Sequence, residues 1–314
     1  MIARLLLVSA LCGLAISPVA TADEPTQLAA GSGAIWTCSN AGVIELDART
    51  GNVLRHAYVG SDYPLQVALG SGAAWVAHVS DGYTSGGLTR FDLTTGRATT
   101  RLRSRTAPVF GVAAGPRRVW ALTGPTANAE VARVDPLAGR RIGVVRGAES
   151  PTSLSADNSG LWVATARGWL LHAGAGSSRA RKVVRLSAHK APLVVALGER
   201  SAWVAGDGTV VRVDERTNRP VARLRVAGIP VAAAAGRRAL WLLVLRDQPW
   251  LVRVNTMSER VDAQRRVPSA SRSVAVGAGD VWLATAERIP RVIRVDPKTL
   301  ELHVFAELLT ATRR

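Results

Sequence analysis

Cysteine is nearly missing from this 314-residue chain, which has only Cys12 and Cys38. Cys12 lies in a leader-like segment, so a mature chain keeps Cys38 alone, and an internal disulfide framework is excluded even in an oxidising compartment. Lysine is almost as scarce: Lys182, Lys190 and Lys298 are the only three among 40 basic residues. Beyond residue 22 no apolar run approaches the roughly 20 residues that a membrane-spanning helix requires, so no transmembrane anchor is expected. Zinc-type Cys/His spacing, a nucleophile elbow and a phosphate-cradling glycine loop are all absent.

Residues 1–22 have the make-up of a signal peptide. Arg4 precedes the apolar run from Leu5 to Ile16, and Ala20-Thr21-Ala22 supplies the small residues of a cleavage site. Cleavage near Ala22 is expected, leaving residues 23–314 as a secreted, periplasmic or cell-envelope protein. Leu11 stands where a small residue would precede a lipid-modified Cys12, which argues against lipidation.

What the chain does have is tryptophan at even intervals. Trp36, Trp75, Trp120, Trp162, Trp203, Trp241 and Trp282 are separated by 39, 45, 42, 41, 38 and 41 residues. That period matches one four-stranded blade per repeat. Seven places before each tryptophan stands Ala29, Ala68, Ala113, Ser155, Ala196, Ala234 or Ala275. Five places before it stands Gly31, Gly70, Gly115, Asp157, Gly198, Gly236 or Gly277, read as a tight turn. The tryptophan-bearing segments, such as Ala202-Trp203-Val204-Ala205, are apolar throughout, as strands covered on both faces are. Asp-x-x-Thr-Gly phrases such as Asp47 to Gly51 then mark a hairpin, and an alternating stretch such as Val221 to Val226 marks a half-solvated outer strand. A proline lies in each connection, from Pro64 and Pro108 through Pro151, Pro192 and Pro230 to Pro268, read as loop punctuation. The expected fold is all-β: one seven-bladed β-propeller of four-stranded antiparallel blades. Their bounds fall near 28–66, 67–111, 112–153, 154–194, 195–230, 231–272 and 273–308. Repeat four is the outlier, running into a glycine- and serine-rich stretch from Ala173 to Ser178 that reads as a mobile loop.

The phrases Val67-Ala68-Leu69-Gly70-Ser71-Gly72-Ala73-Ala74-Trp75-Val76-Ala77 and Arg294-Val295-Asp296-Pro297-Lys298-Thr299 resemble the repeats of bacterial YVTN and NHL-type propellers, a group that includes virginiamycin B lyases. The resemblance covers residues 28 to about 306 and implies the propeller fold. Lyases of that group carry a Glu three places after the blade tryptophan and a His two places beyond. Here those third positions read Ser39, His78, Thr123, Thr165, Gly206, Val244 and Thr285, so no lyase residue transfers.

The net charge of +17 favours anionic partners. Part of it is written into the repeat, since Arg90, Arg133, Arg212, Arg253 and Arg294 each stand two residues before the Asp or Asn ending a strand, which points to pairing between blades. No basic stripe interleaved with aromatics points to nucleic acid. Loops after the second and fourth strands should meet at one mouth of the channel. There Asp62 and Tyr63 would lie beside the loop carrying His78, Asp81 and Tyr83, and His78 with Asp81 form the candidate catalytic pair. Arg246, Asp247 and Trp250, with Glu287 and Arg288, form a second candidate cluster whose tryptophan reads as exposed. His189 falls in a connection across the ring from His78. Trp169, like Trp250, stands outside the tryptophan period.

Two functions fit. The first is an exported, non-catalytic binding or scaffold propeller, acting as a monomer without a cofactor, whose basic rim engages an anionic polymer, a peptide or a protein. The alternative is a metal-assisted lyase or lactone hydrolase acting on a cyclic ester or peptide, with a divalent ion near Asp62, His78 and Asp81.

Overall fold

A computed structural model describes residues 27–39, 42–60, 62–124, 129–187, 193–287 and 289–308. Residues 1–22, expected from the sequence to be a signal peptide, lie outside them. The described chain forms seven four-stranded antiparallel sheets, each built from four consecutive strands. They span 27–57, 63–104, 109–144, 151–185, 194–225, 229–266 and 271–307 and are numbered here as blades 1 to 7. Blade 5 is representative, with strands Val194–Gly198, Ser201–Gly206, Thr209–Asp214 and Arg219–Arg225. No helix among the described residues is long and apolar enough to cross a membrane.

The alanine-to-tryptophan spacing has a direct cause. In all seven blades the residue seven places before the tryptophan is its cross-strand partner, from Ala29 opposite Trp36 to Ser155 opposite Trp162 and Ala275 opposite Trp282. A small inner neighbour leaves room for the indole, which is at most 2% exposed in every repeat. Each indole then fills a core shared by two blades: Trp36 lies with Phe91 of blade 2, and Trp203 with Leu240 and Leu242 of blade 6. Burying a side chain of this size stabilises by roughly 3 kcal/mol or more, so the seven interfaces hold the ring together.

Five places before the tryptophan, Asp157 caps its turn as the sequence pattern implies, accepting the Ser159 N–H at 2.8 Å, but glycine at this position has a different task. Gly70 ends its strand in an extended conformation, and a Cβ there would lie 2.6 Å from the Ala114 carbonyl oxygen of blade 3. Gly277 meets Ala30 of blade 1 in the same way. These glycines let neighbouring inner strands touch, while the following pair, such as Ser71-Gly72 with φ of 49° and 69°, makes the turn.

Three prolines also serve differently from loop punctuation. Pro64, Pro151 and Pro230 lie inside the innermost strands Tyr63–Gly70, Pro151–Ala156 and Ile229–Gly236, each just before a register shift. Proline lacks the N–H that a ladder would use, and a bulge is where that loss is tolerated.

Side chains on the inner strands add hydrogen bonds between blades. The Gln66 side-chain oxygen accepts from the Val112 N–H at 2.8 Å, and the Thr152 hydroxyl donates to the Leu193 carbonyl at 3.0 Å. Blades 7 and 1 close the ring without exchanging a strand. The Leu28 N–H donates to Ser273 Oγ at 3.2 Å, and Leu28, Ile35, Trp282 and Val292 share one core. The stretch from Ala173 to Ser178 is tied down: Arg146 N–H donates to the Ser178 carbonyl, and Arg179 bridges back to Arg146 of blade 3.

Candidate functional site

His78 is the third residue after Trp75 on the second strand of blade 2, and there it is 4% exposed. Its register partner is Gly87, where a Cβ would stand 2.6 Å from His78 Cε1. The missing side chain lets the imidazole lie across the third strand. His78 Nδ1 is 2.7 Å from Asp62 Oδ2, and Nε2 is 3.1 Å from Thr89 Oγ1, which is 3.3 Å from Thr100 Oγ1. Burial pulls the His78 pKa below its ordinary value, and this outweighs the opposing pull of Asp62. In the neutral form that fits these contacts, Nδ1–H donates to Asp62 and Nε2 accepts from the Thr89 hydroxyl. Both nitrogens are spent on a chain of hydrogen bonds that crosses blade 2 from the entering loop to its outer strand.

Asp81 and Tyr83 do not join this chain. They belong to a short 3-10 turn, Asp81–Tyr83, closed by Ser80: the Tyr83 N–H donates to the Ser80 carbonyl, and Ser85 N–H to Ser80 Oγ. Tyr83 is exposed and stacks on Phe110 of blade 3, with ring centroids 6.5 Å apart. Tyr63 opens the inner strand opposite Val79. No group of three His, Cys, Asp or Glu side chains among the described residues is spaced to hold a metal ion.

The second cluster is packed more closely than its sequence implies. Trp250 is half-buried against the core shared by blades 5 and 6. The Arg246 guanidinium lies 4.8 Å from its ring centroid and that of Arg266 lies 5.6 Å away. Arg246 also donates to the Ala227 carbonyl at 2.8 Å, and Arg266 pairs with Asp247 at 3.4 Å. Glu287 is held within blade 7 by Arg291, whose Nε–H donates to it at 2.8 Å. His189 and Arg288 lie outside the described residues.

An equivalence between blades went unseen in the sequence. Trp162 pairs with His172 and Trp241 with Arg253, so Trp169 and Trp250 each stand three residues before the partner of the ring tryptophan. The two extra tryptophans therefore occupy the same repeat position. Their distances from Trp162 and Trp241 differ only because the intervening loops differ in length. Trp169 has the same surroundings, with Lys182 Nζ at 4.8 Å and the Arg185 guanidinium at 5.7 Å from its ring centroid. Arg185 and Arg266 are the fourth-strand register partners of Trp169 and Trp250, and Arg103 and Arg225 hold that position in blades 2 and 5. All four arginines are exposed at the end of the blades where the loops after the second and fourth strands gather. Strand register alone exposes this signal, because the third strand ends on Gly174 in blade 4 and on Asn255 in blade 6 and offers no shared Asp to count from.

The arginines opposite the ring tryptophans have mixed roles. Arg212 crosses to blade 6, pairing with Glu259 at 2.9 Å, and Arg253 crosses to the Pro297 carbonyl of blade 7 at 2.6 Å. Arg90 and Arg294 stay within their own blades, on Asp92 and Asp280. Pairing between blades therefore holds for two of the five and not for these.

No family model and no curated protein matches the chain. Among solved structures, a chain in the "Crystal Structure of Mitotic Checkpoint Complex" is similar with a TM-score of 0.70 at 13% identity, over 86% of this chain and 89% of that one. Sqt1 of Saccharomyces cerevisiae is similar with a TM-score of 0.65 at 6% identity, over 90% of this chain and 84% of that one. These likenesses establish the fold: the chain is a seven-bladed β-propeller.

Proposed function

We propose that this propeller is an exported, non-catalytic binding protein, of the YVTN-like kind its repeats resemble, that takes an acidic peptide or anionic polymer on its loop-bearing face. The observation that carries the reading is the matched pair Trp169 and Trp250, each half-buried with two basic side chains over its ring, in a row of exposed arginines. Tryptophan and arginine dominate recognition surfaces, because a rigid aromatic face orders at low entropic cost and guanidinium pairs with carboxylates in two directions. One of the similar structures belongs to a multiprotein complex, which fits a scaffold role. The enzymatic alternative receives less support, since His78 has both nitrogens engaged.

Titration with a poly-glutamate peptide, followed by tryptophan fluorescence, tests the proposal. Binding at low salt that weakens by about tenfold in Trp169→Ala/Trp250→Ala is expected. Absence of binding sinks it. Binding that the double variant keeps while salt abolishes it would mean bulk charge alone.

A further inference from the structure

A second charged surface lies at the opposite end of the blades, on the face that carries the tight turns. A groove of about 510 Å³ between blades 6 and 7 is bordered by Arg237, Arg238, Arg253 and Lys298, with Asp262 as its carboxylate. Arg253 already uses that carboxylate, at 2.7 Å. Arg237 and Arg238 are exposed, and neither guanidinium forms an ion pair among the described residues.

Two comparisons between blades describe this groove, and the second sets it apart from its neighbour. The turn joining the first two strands passes through left-handed backbone, and blades 1, 2 and 7 place glycine at its second position: Gly33, Gly72 and Gly279. Blade 5 places Glu199 and Arg200 at this turn, with φ of 57° and 56°, and blade 6 places Arg237 and Arg238 there, both at φ of 59°, where a Cβ is disfavoured. Strain of this kind persists where the surrounding structure holds it. Glu199 of blade 5 braces the turn by accepting the Arg238 N–H at 3.0 Å.

The second comparison concerns neutralisation. In the groove between blades 5 and 6, Glu259 crosses over to pair with Arg212. The residue matching Glu259 in blade 7 is Leu300, at the same left-handed turn position and 5% exposed. The crossing carboxylate of one groove is thus missing from the next, and Asp262 offsets Arg253 alone, which leaves Arg237, Arg238 and Lys298 without an ion pair among the described residues, along an open groove in the size range of small-molecule sites.

We infer that the groove between blades 6 and 7 binds a phosphate-bearing small molecule or headgroup, with Arg237, Arg238 and Lys298 on its oxygens. Forked guanidinium donors from two adjacent residues suit a tetrahedral, multiply charged oxyanion, and the volume exceeds that of a lone phosphate.

Calorimetric titration of the whole protein with inorganic diphosphate, and co-sedimentation with phosphatidylglycerol or phosphatidylcholine vesicles, test it. In Arg237→Gly/Arg238→Gly the charges go while the backbone strain is relieved. Affinity should fall by about tenfold or more while the melting temperature stays level or rises. Arg181→Gln/Arg219→Gln removes equal charge elsewhere and should leave affinity nearly unchanged, as should Trp169→Ala/Trp250→Ala on the other face. Diphosphate binding assigns a soluble ligand, and binding only to phosphatidylglycerol vesicles assigns a headgroup. The inference is overturned if neither probe binds, if the glycine variant binds as well as the parent, or if either control loses as much affinity.

Discussion

At the scale of single residues the repeats are alike in position and unlike in environment, and stability should follow the environment. Trp75 Nε1–H donates to the Gly70 carbonyl at 3.0 Å, whereas Trp203 Nε1 is buried with no partner. Trp75→Phe should cost about 1 kcal/mol more than Trp203→Phe in urea unfolding, because only the first breaks a made bond. Cys38 is wholly buried, and burial pushes its thiol pKa far up, as expected of a small core residue. Glu215 differs again. Desolvation first, and then the neighbouring Asp157 carboxylate, raise its pKa to about 7. A carboxyl raised above its unfolded value favours the fold below the ordinary carboxylate range, and that contribution is lost as pH rises through 7. His78 and His172, whose pKa values are lowered by burial, act in the opposite sense, so a paired variant is needed. Glu215→Gln should gain on the parent by about 1 kcal/mol between pH 5 and pH 8, after discounting for its partial exposure. Thermal melts across that range check the sign. The turn aspartates Asp47, Asp92, Asp135, Asp214 and Asp296 have pKa values lowered mainly by hydrogen bonds to their own turns. Their contribution is present at neutral pH and lost only in acid below the ordinary carboxylate range.

At the scale of elements, strand-ending glycines and turn glycines should respond differently to the same substitution. Gly70→Ala puts a methyl group 2.6 Å from the Ala114 carbonyl oxygen, so blades 2 and 3 must part. Gly72→Ala meets nothing within 4 Å but keeps a φ of 69°. The first should cost about 3 kcal/mol and the second about 1 kcal/mol, measured by chemical denaturation. The sequence pattern located these glycines but assigned them the wrong task. A period aligned on tryptophan records which positions recur, not which strand lies on the far side. The prolines show the same limit: nothing local distinguishes Pro64, inside a bulged strand, from Pro108, in a connection.

At the scale of the whole molecule, blade number and strand count were legible because every repeat solves the same packing problem. A fully buried indole needs a small neighbour opposite it, and seven copies of that need write themselves into the chain. The candidate site was legible only in part. Asp62 and His78 do meet, as their loops imply, but only tertiary packing reveals that Thr89 takes the second nitrogen and that Asp81 turns away. Trp169 and Trp250 were visible as exceptions, yet their equivalence depends on strand register. Acrylamide quenching of tryptophan fluorescence, with and without poly-glutamate, tests the resulting account most directly. Quenching should be confined to a small fraction of the emission, vanish in Trp169→Phe/Trp250→Phe, and be suppressed by the peptide at low salt in the parent protein. Broad quenching that survives in the double variant, or quenching indifferent to bound peptide, would contradict a propeller that buries seven indoles in its ring and offers two to a ligand.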